Sequence, residues 1–202
     1  MSPVPDPKTL LDMAGVPARP HPLADASVVM IDAQMEYVTG RVPLAGIGAA
    51  LDQGARLLAA ARGLGRPVVH VAHKGRAGGL FDPESEFFAF APQAAPLAGE
   101  PVVEKALPNA FAGTSLDETL KGLDAKTLVV AGFMTHMCVS STLRAALDLG
   151  YSCTVLGSAC ATRDLPDGSG GVVPADTLHR AELAALADRF AMLAWDVAEL
   201  EG

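Results

Sequence analysis

Residues 127–150, TLVVAGFMTHMCVSSTLRAALDLG, constrain the fold more than any other stretch of the chain. Leu128 to Ala131 is apolar and half β-branched, the composition of a buried strand. Gly132 and Thr135 interrupt it, and Cys138 to Leu149 then places apolar residues at helical spacing until Gly150 closes the run. The stretch reads as strand, tight turn and helix. A cysteine in the first turn of such a helix lies among unpaired backbone N–H groups at the positive end of the macrodipole, and both favour a thiolate over a thiol. Cys138 is therefore the candidate nucleophile; the alternative is a small apolar side chain packed under a turn.

The same grammar recurs along the chain. Ser27 to Ile31, SVVMI, is a strand-length apolar run followed by Asp32. Leu44 to Leu64 carries Ile47, Leu51, Ala55, Leu58 and Arg62 on one rough face, with Gly63 and Gly65 ending it, and Pro67 to Ala72 is the next strand. Pro101 to Lys105 is a short strand ending in lysine, and Ser115 and Glu118 stand in capping-box register before a helix to Gly122. Ser152 to Gly157 reads as a strand, Pro174 to Phe190 as a helix, and Ala191 to Trp195 as the last strand. Strands alternating with helices predict a parallel sheet with right-handed crossovers and helices on both faces. Asp32, Lys105 and Cys138 each follow a strand at its carboxyl end, the edge where open parallel sheets bind ligands.

The remaining segments carry less. Residues 1–26 hold six prolines around one short possible helix near Leu10 to Ala14. They are expected to form an arm lying on the surface or on a neighbouring subunit, or a partly ordered terminus, ahead of a single domain over 27–202. His73 to Glu100 has no clear period, yet it holds Phe81, Phe87, Phe88 and Phe90, so the Phe81 to Phe90 loop reads as a lid or a subunit contact. The segment Ser158 to Val173, with its DGSGG, is expected to be mobile. With 15 Lys and Arg against 23 Asp and Glu, a formal charge of −8 and no basic cluster, nucleic acid is not an expected partner. No apolar run approaches the length of a membrane span, and three cysteines without a signal-like N-terminus point to a reducing cytoplasm. His70 and His73 invite a metal reading, but their spacing puts them on opposite faces of a strand.

Three blocks in order, VVMIDAQMEY around Asp32, VVEKALPNAFAGTSL around Lys105 and LVVAGFMTHMCVSSTLRAALDLGY around Cys138, resemble those of the isochorismatase-like cysteine hydrolase superfamily. That superfamily includes nicotinamidases, N-carbamoylsarcosine amidohydrolases, and biuret and ureidoacrylate hydrolases. The resemblance spans about Ser27 to Trp195 and implies a three-layer α/β/α sandwich around a six-stranded parallel sheet. It also implies a catalytic triad of Asp32, Lys105 and Cys138, an oxyanion hole from the backbone N–H groups of Met134 and Cys138, and a cis peptide joining Phe133 to Met134. The implied reaction is cysteine-dependent cleavage of a C–N bond in a small amide, ureido or carbamoyl compound through a thioester. Relatives are homo-oligomers, so a dimer or tetramer is expected.

Two departures narrow the reading. Nicotinamidases hold a metal through an Asp-x-His pair and a further histidine, and after Asp32 this chain reads DAQMEYVTGRVPLAG without such a pair, so no metal or cofactor is expected. Isochorismate hydrolysis cleaves a vinyl ether without relying on the cysteine that this chain retains. Ser158 stands where many relatives have aspartate, a change for which the sequence offers no physical reason. His136, two residues before the cysteine, is an alternative base in a Cys–His pair, disfavoured because residues two apart on a helix face different directions. A non-catalytic binding or assembly protein on the same scaffold is the second functional class, and a redox-sensing cysteine the third. Substrate contacts are expected among Gln34, Tyr37, Phe111, Thr114, Phe133, Thr135 and His136, which suit a compact planar ligand with an amide end.

Overall fold

In the computed structural model, which describes residues 6–17 and 19–201, the apolar runs become a six-stranded parallel sheet. The strands are β1 (Ser27–Ile31), β2 (Val68–His73), β3 (Val102–Lys105), β4 (Thr127–Phe133), β5 (Ser152–Ala161) and, after a small β6–β7 pair (Leu165–Pro166 and Val172–Val173), β8 (Met192–Ala194). Their order is β3-β2-β1-β4-β5-β8, and every pairing in this sheet is parallel. Alternation along β1 shows why two layers of helix are needed. Val28 and Met30 belong to the core under α2 (Ile47–Gly63), while Val29 and Ile31 face α3 (Leu116–Gly122), α4 (Ser140–Asp148) and α5 (Ala175–Arg189). The result is the three-layer α/β/α sandwich.

The sequence of strands reverses direction between β1 and β4. Beyond the carboxyl ends of these two strands lies the crevice that a doubly wound sheet offers to a ligand. Gly132, near the end of β4, makes this edge possible. Its φ is +118°, and a Cβ there would stand 2.0 Å from the carbonyl oxygen of Ile31, so β4 approaches β1 more closely than any side chain permits.

Several expectations are corrected in detail. Gly157 and Ser158 do not end β5; a register shift against β4 absorbs them, and pairing resumes at Gly132–Cys160 and Phe133–Ala161. Gly157 sits where α5 crosses, with Leu183 Cδ1 at 2.9 Å from a would-be Cβ, which is a packing reason for glycine inside a strand. The segment 158–173 is not loop throughout: Ser158 to Ala161 belong to β5, β6 and β7 pair antiparallel, and Asp167 accepts backbone N–H bonds from Ser169 and Gly171. The Ser115–Glu118 capping box does not form, because Ser115 is not extended (ψ 11°), and Thr114 Oγ1 accepts from Leu116 N instead. Of the N-terminal arm, Met1 to Pro5 and Ala18 lie outside the described residues, as does Gly202. The described part lies along its own domain. Leu11 of α1 (Leu10–Met13) is buried, Leu10 N–H donates to Asp188 of α5, and His21 N–H donates to Thr154.

The long segment after β2 is tied down at both ends. Met35 N–H donates to Ala89 O and Ala91 N–H to Ala33 O, strapping the segment across the end of β1. Glu100 anchors its far end, accepting from Arg62 at 2.7 Å and Leu97 N–H at 2.7 Å, with His70 Nε2 at 3.0 Å.

Because Gly132 meets the Ile31 carbonyl, Gly132→Ala should lower the urea unfolding midpoint by the equivalent of about 2–3 kcal/mol. An unchanged midpoint would show that β4 and β1 do not approach as described.

Candidate active site

Asp32 leaves β1 with φ +50°, a left-handed value that aspartate tolerates better than most residues, and its N–H donates to Val71 O at 2.8 Å. Lys105 ends β3 and is paired in register with His73, the last residue of β2. Its side chain therefore reaches over the end of β2 toward β1. Cys138 lies in a single π-helical turn, Thr135–Val139, that connects β4 to α4. The Phe133–Met134 peptide bond just before this turn is cis.

These three strand ends meet at one ammonium. Lys105 Nζ is 2.7 Å from Asp32 Oδ2, 3.2 Å from Cys138 Sγ and 3.0 Å from His73 Nδ1. The lysine and aspartate side chains are fully inaccessible to solvent, and Cys138 is 4% exposed. Asp32, His73 and Cys138 offer ligand-type atoms within 4.8 Å of one another, a set with the chemistry to hold a metal ion. Lys105 Nζ, in contact with all three, stands as the cation among them.

The protonation states follow from this geometry. Burial pushes the Asp32 carboxyl up to about 6, against the pull of Lys105. Burial, aided by the Asp32 charge, pushes the Cys138 thiol up to about 12, although Lys105 opposes it. Burial and Lys105 together bring His73 down to about 4, so its ring is neutral near pH 7. The expectation that a helix start makes Cys138 a resting thiolate is thus corrected. In a dry site beside a carboxylate, desolvation outweighs the helix terminus, and the arrangement can instead pass the thiol proton to Asp32 as the sulfur attacks.

The expected substrate contacts divide. Tyr37 and Phe133 are buried in the core together with Phe81, with ring centroids 5.0 Å from Tyr37 to Phe81 and 6.0 Å from Tyr37 to Phe133, and Phe81 in turn lies 4.9 Å from the His73 ring, so this cluster backs the site rather than opening into it. Gln34 is fully buried and acts as a backbone clamp. It donates to His73 O and Phe88 O and accepts from His73 N–H, fixing the end of β2. Thr135 is also fully buried, bonded to Ala161 O and His179. His136 Nδ1 pairs with Thr162 Oγ1 at 2.5 Å and makes no hydrogen bond to Cys138, which removes the support for a Cys–His pair. Phe111 stacks on Tyr151, and Thr114 donates to Ala110 O; both line a cavity of about 460 Å³ against α3 and α4 that includes none of Asp32, Lys105 and Cys138. Sequence periodicity could not separate these, because the turn after Lys105 directs Phe111 and Thr114 toward the helices.

Three residues of the site escaped the sequence reading. His73 was visible only as a weak metal candidate, although its place at a strand end beside Lys105 is the signal that finds it. Glu36, 1% exposed, accepts from Arg41 N–H and Phe81 N–H and so holds Phe81 in place. Arg163 follows β5 and makes no ion pair among the described residues; its charge acts on Tyr37 and His136. A cavity of about 780 Å³ opens beside His73 and Lys105, bordered by Arg76 and the Lys74–Glu104 ion pair.

Residues 26–194 match the family model described as the isochorismatase domain. The chain belongs to the isochorismatase family. A crystal structure of an isochorismatase from Pseudomonas putida is similar at 47% identity with a TM-score of 0.91, covering 96% of this chain and 99% of that one. The secreted isochorismatase effector of Verticillium dahliae is 36% identical over 182 residues, 90% of this chain and 93% of the effector. A maleamate amidohydrolase of Pseudomonas putida is 32% identical over 147 residues, 64% of this chain and 69% of that enzyme. No helix among the described residues is long and apolar enough to cross a membrane.

With its carboxyl held at about 6, Asp32 is available as a base only above that pH. Alkylation of Cys138 by iodoacetamide should therefore rise through an inflection near pH 6, and Asp32→Asn should slow it about 10²-fold and abolish the inflection. A rate that rises only with ordinary thiol ionisation would remove Asp32 as the base.

Proposed function

We propose that this protein is a cysteine-dependent hydrolase that cleaves the C–N bond of a small amide, ureido or carbamoyl compound. The observation that carries the reading is the contact of Lys105 Nζ with both Asp32 and Cys138 Sγ, at 2.7 and 3.2 Å, in the crevice where the strand order reverses. Asp32 takes the thiol proton as Cys138 Sγ forms a bond to the carbonyl carbon, and Lys105 balances the negative charge that moves between them. The backbone N–H groups of Met134 and Cys138 are the donors assigned to the oxyanion. Collapse breaks the C–N bond, the departing nitrogen receives the proton from Asp32, and a thioester remains on Cys138. Water, deprotonated by Asp32, then adds to the thioester and releases the acid, returning the proton to the sulfur.

The similarity to an amidohydrolase favours a C–N bond over an ether. Arg163 favours a substrate whose far end is anionic. Among the described residues it has no acidic partner, its buried Nε makes no hydrogen bond, and its guanidinium donates to Asp164 O at 3.4 Å.

The test is ammonia release from a panel of small amides, ureas and carbamoyl compounds with and without a carboxylate. Release should occur with a carboxylated member, persist in the presence of a chelator, and fall by about 10³-fold or more in Cys138→Ala. Arg163→Gln should raise KM for that substrate with a smaller change in kcat. Full activity in Cys138→Ala would defeat the cysteine mechanism, and equal turnover of charged and uncharged members would defeat the role of Arg163.

A further inference from the structure

We infer that His73 is a positioning residue of this site, whose Nδ1 accepts the third N–H of Lys105 and fixes the ammonium between Asp32 and Cys138. The inference rests on the cysteine chemistry proposed above and goes beyond the Asp–Lys–Cys set by adding a fourth side chain and a required tautomer.

A lysine ammonium has three N–H donors and no acceptor. Around Lys105 Nζ the structure holds three acceptors within hydrogen-bond range: Asp32 Oδ2 at 2.7 Å, His73 Nδ1 at 3.0 Å and Cys138 Sγ at 3.2 Å. The lysine side chain is wholly inaccessible, so water cannot supply a missing partner, and a donor left unmade there carries its full desolvation cost. Since the ammonium can only donate, Nδ1 must be the unprotonated nitrogen, and the ring is the neutral Nε2–H tautomer.

The surroundings keep the ring in that state and orientation. Lys105 faces it from β3, Phe81 packs against it in a T-shaped contact from the loop, and Gln34 grips its backbone on both sides through His73 N–H and O. The neighbouring Lys74 is neutralised by Glu104 at 2.7 Å. The Asp32 carboxylate and Cys138 Sγ lie within 4.8 Å of a ring nitrogen, but Lys105 stands between them, and Asp32 is paired with Lys105 at 2.7 Å rather than with the ring. The long, flexible lysine stem reaches over the end of β2, and His73 is the group at that end which stops the ammonium from swinging toward one anionic partner. An error of about 1 Å in such a charge is enough to cost about 10²-fold in rate.

Two measurements that need no substrate test this. Nitrogen-15 NMR of the histidine rings in the wild-type protein should show His73 as the Nε2–H tautomer near pH 7. An Nδ1–H tautomer or a doubly protonated ring would overturn the inference. Iodoacetamide alkylation of Cys138 should slow by about tenfold or more in His73→Leu and recover to within about threefold of wild type in His73→Asn, whose side-chain carbonyl can take the same N–H. Equal rates in folded His73→Leu and wild type would overturn it. So would slowing in both variants in proportion to lost thermal stability, which marks a purely structural role. If His73→Leu does not fold, the wild-type tautomer and His73→Asn decide. Because neither readout uses an amide, failure of the amidase reading leaves this test intact, and a wrong tautomer leaves the amidase reading open.

Discussion

The buried ammonium of Lys105 is the constraint on which the rest of the carboxyl edge depends. A charge removed from water is tolerated only when its partners are complete, and removing one partner of a buried pair costs about 3–5 kcal/mol. The fold meets this demand with residues far apart along the chain: Asp32 follows β1, His73 ends β2, Lys105 ends β3 and Cys138 follows β4. Each strand must stop at the right register. The β2–β3 pairing sets His73 beside Lys105, Gln34 clamps the His73 backbone, and Gly132 lets β4 close on β1.

That arrangement also explains why a buried cysteine can be a nucleophile without being a thiolate at rest. With a thiol at about 12 and a carboxyl at about 6, the resting site holds one carboxylate, one ammonium and a neutral thiol. Moving the proton from sulfur to carboxylate leaves the net charge of the pocket unchanged, so no further ion is created in a dry environment. Lys105 lies within reach of both anionic forms and need not move. A histidine base would turn neutral into cationic beside that lysine, an arrangement the low value of His73 shows to be unfavourable here.

Much of this was legible in the chain, and the reason lies in local chemistry. Apolar runs such as SVVMI and TLVVAGF can be buried on both faces only as interior parallel strands, and the polar residue that ends such a run falls at the sheet edge. Asp32, Lys105 and Cys138 were found by that logic. What failed depended on contacts between distant segments. Gly157 and Ser158 look like a strand end, yet they are a bulge under α5. Gln34 looks like a ligand contact, yet its amide holds three backbone groups. Phe111 and Thr114 are one turn from the lysine, yet they face α3 and α4. Local spacing gives proximity along the chain, and the turn between strand and helix decides direction.

Burial pattern and residue type are local properties, so the layer architecture, the family and the three side chains at the strand ends can be read from the chain alone. How those side chains are charged, and what holds them, is set by contacts between strands. Protonation depends on desolvation and on partners from separate strands, so the thiol state of Cys138, the raised carboxyl of Asp32 and the contact of His73 with Lys105 emerge only when β1, β2, β3 and β4 end at one edge.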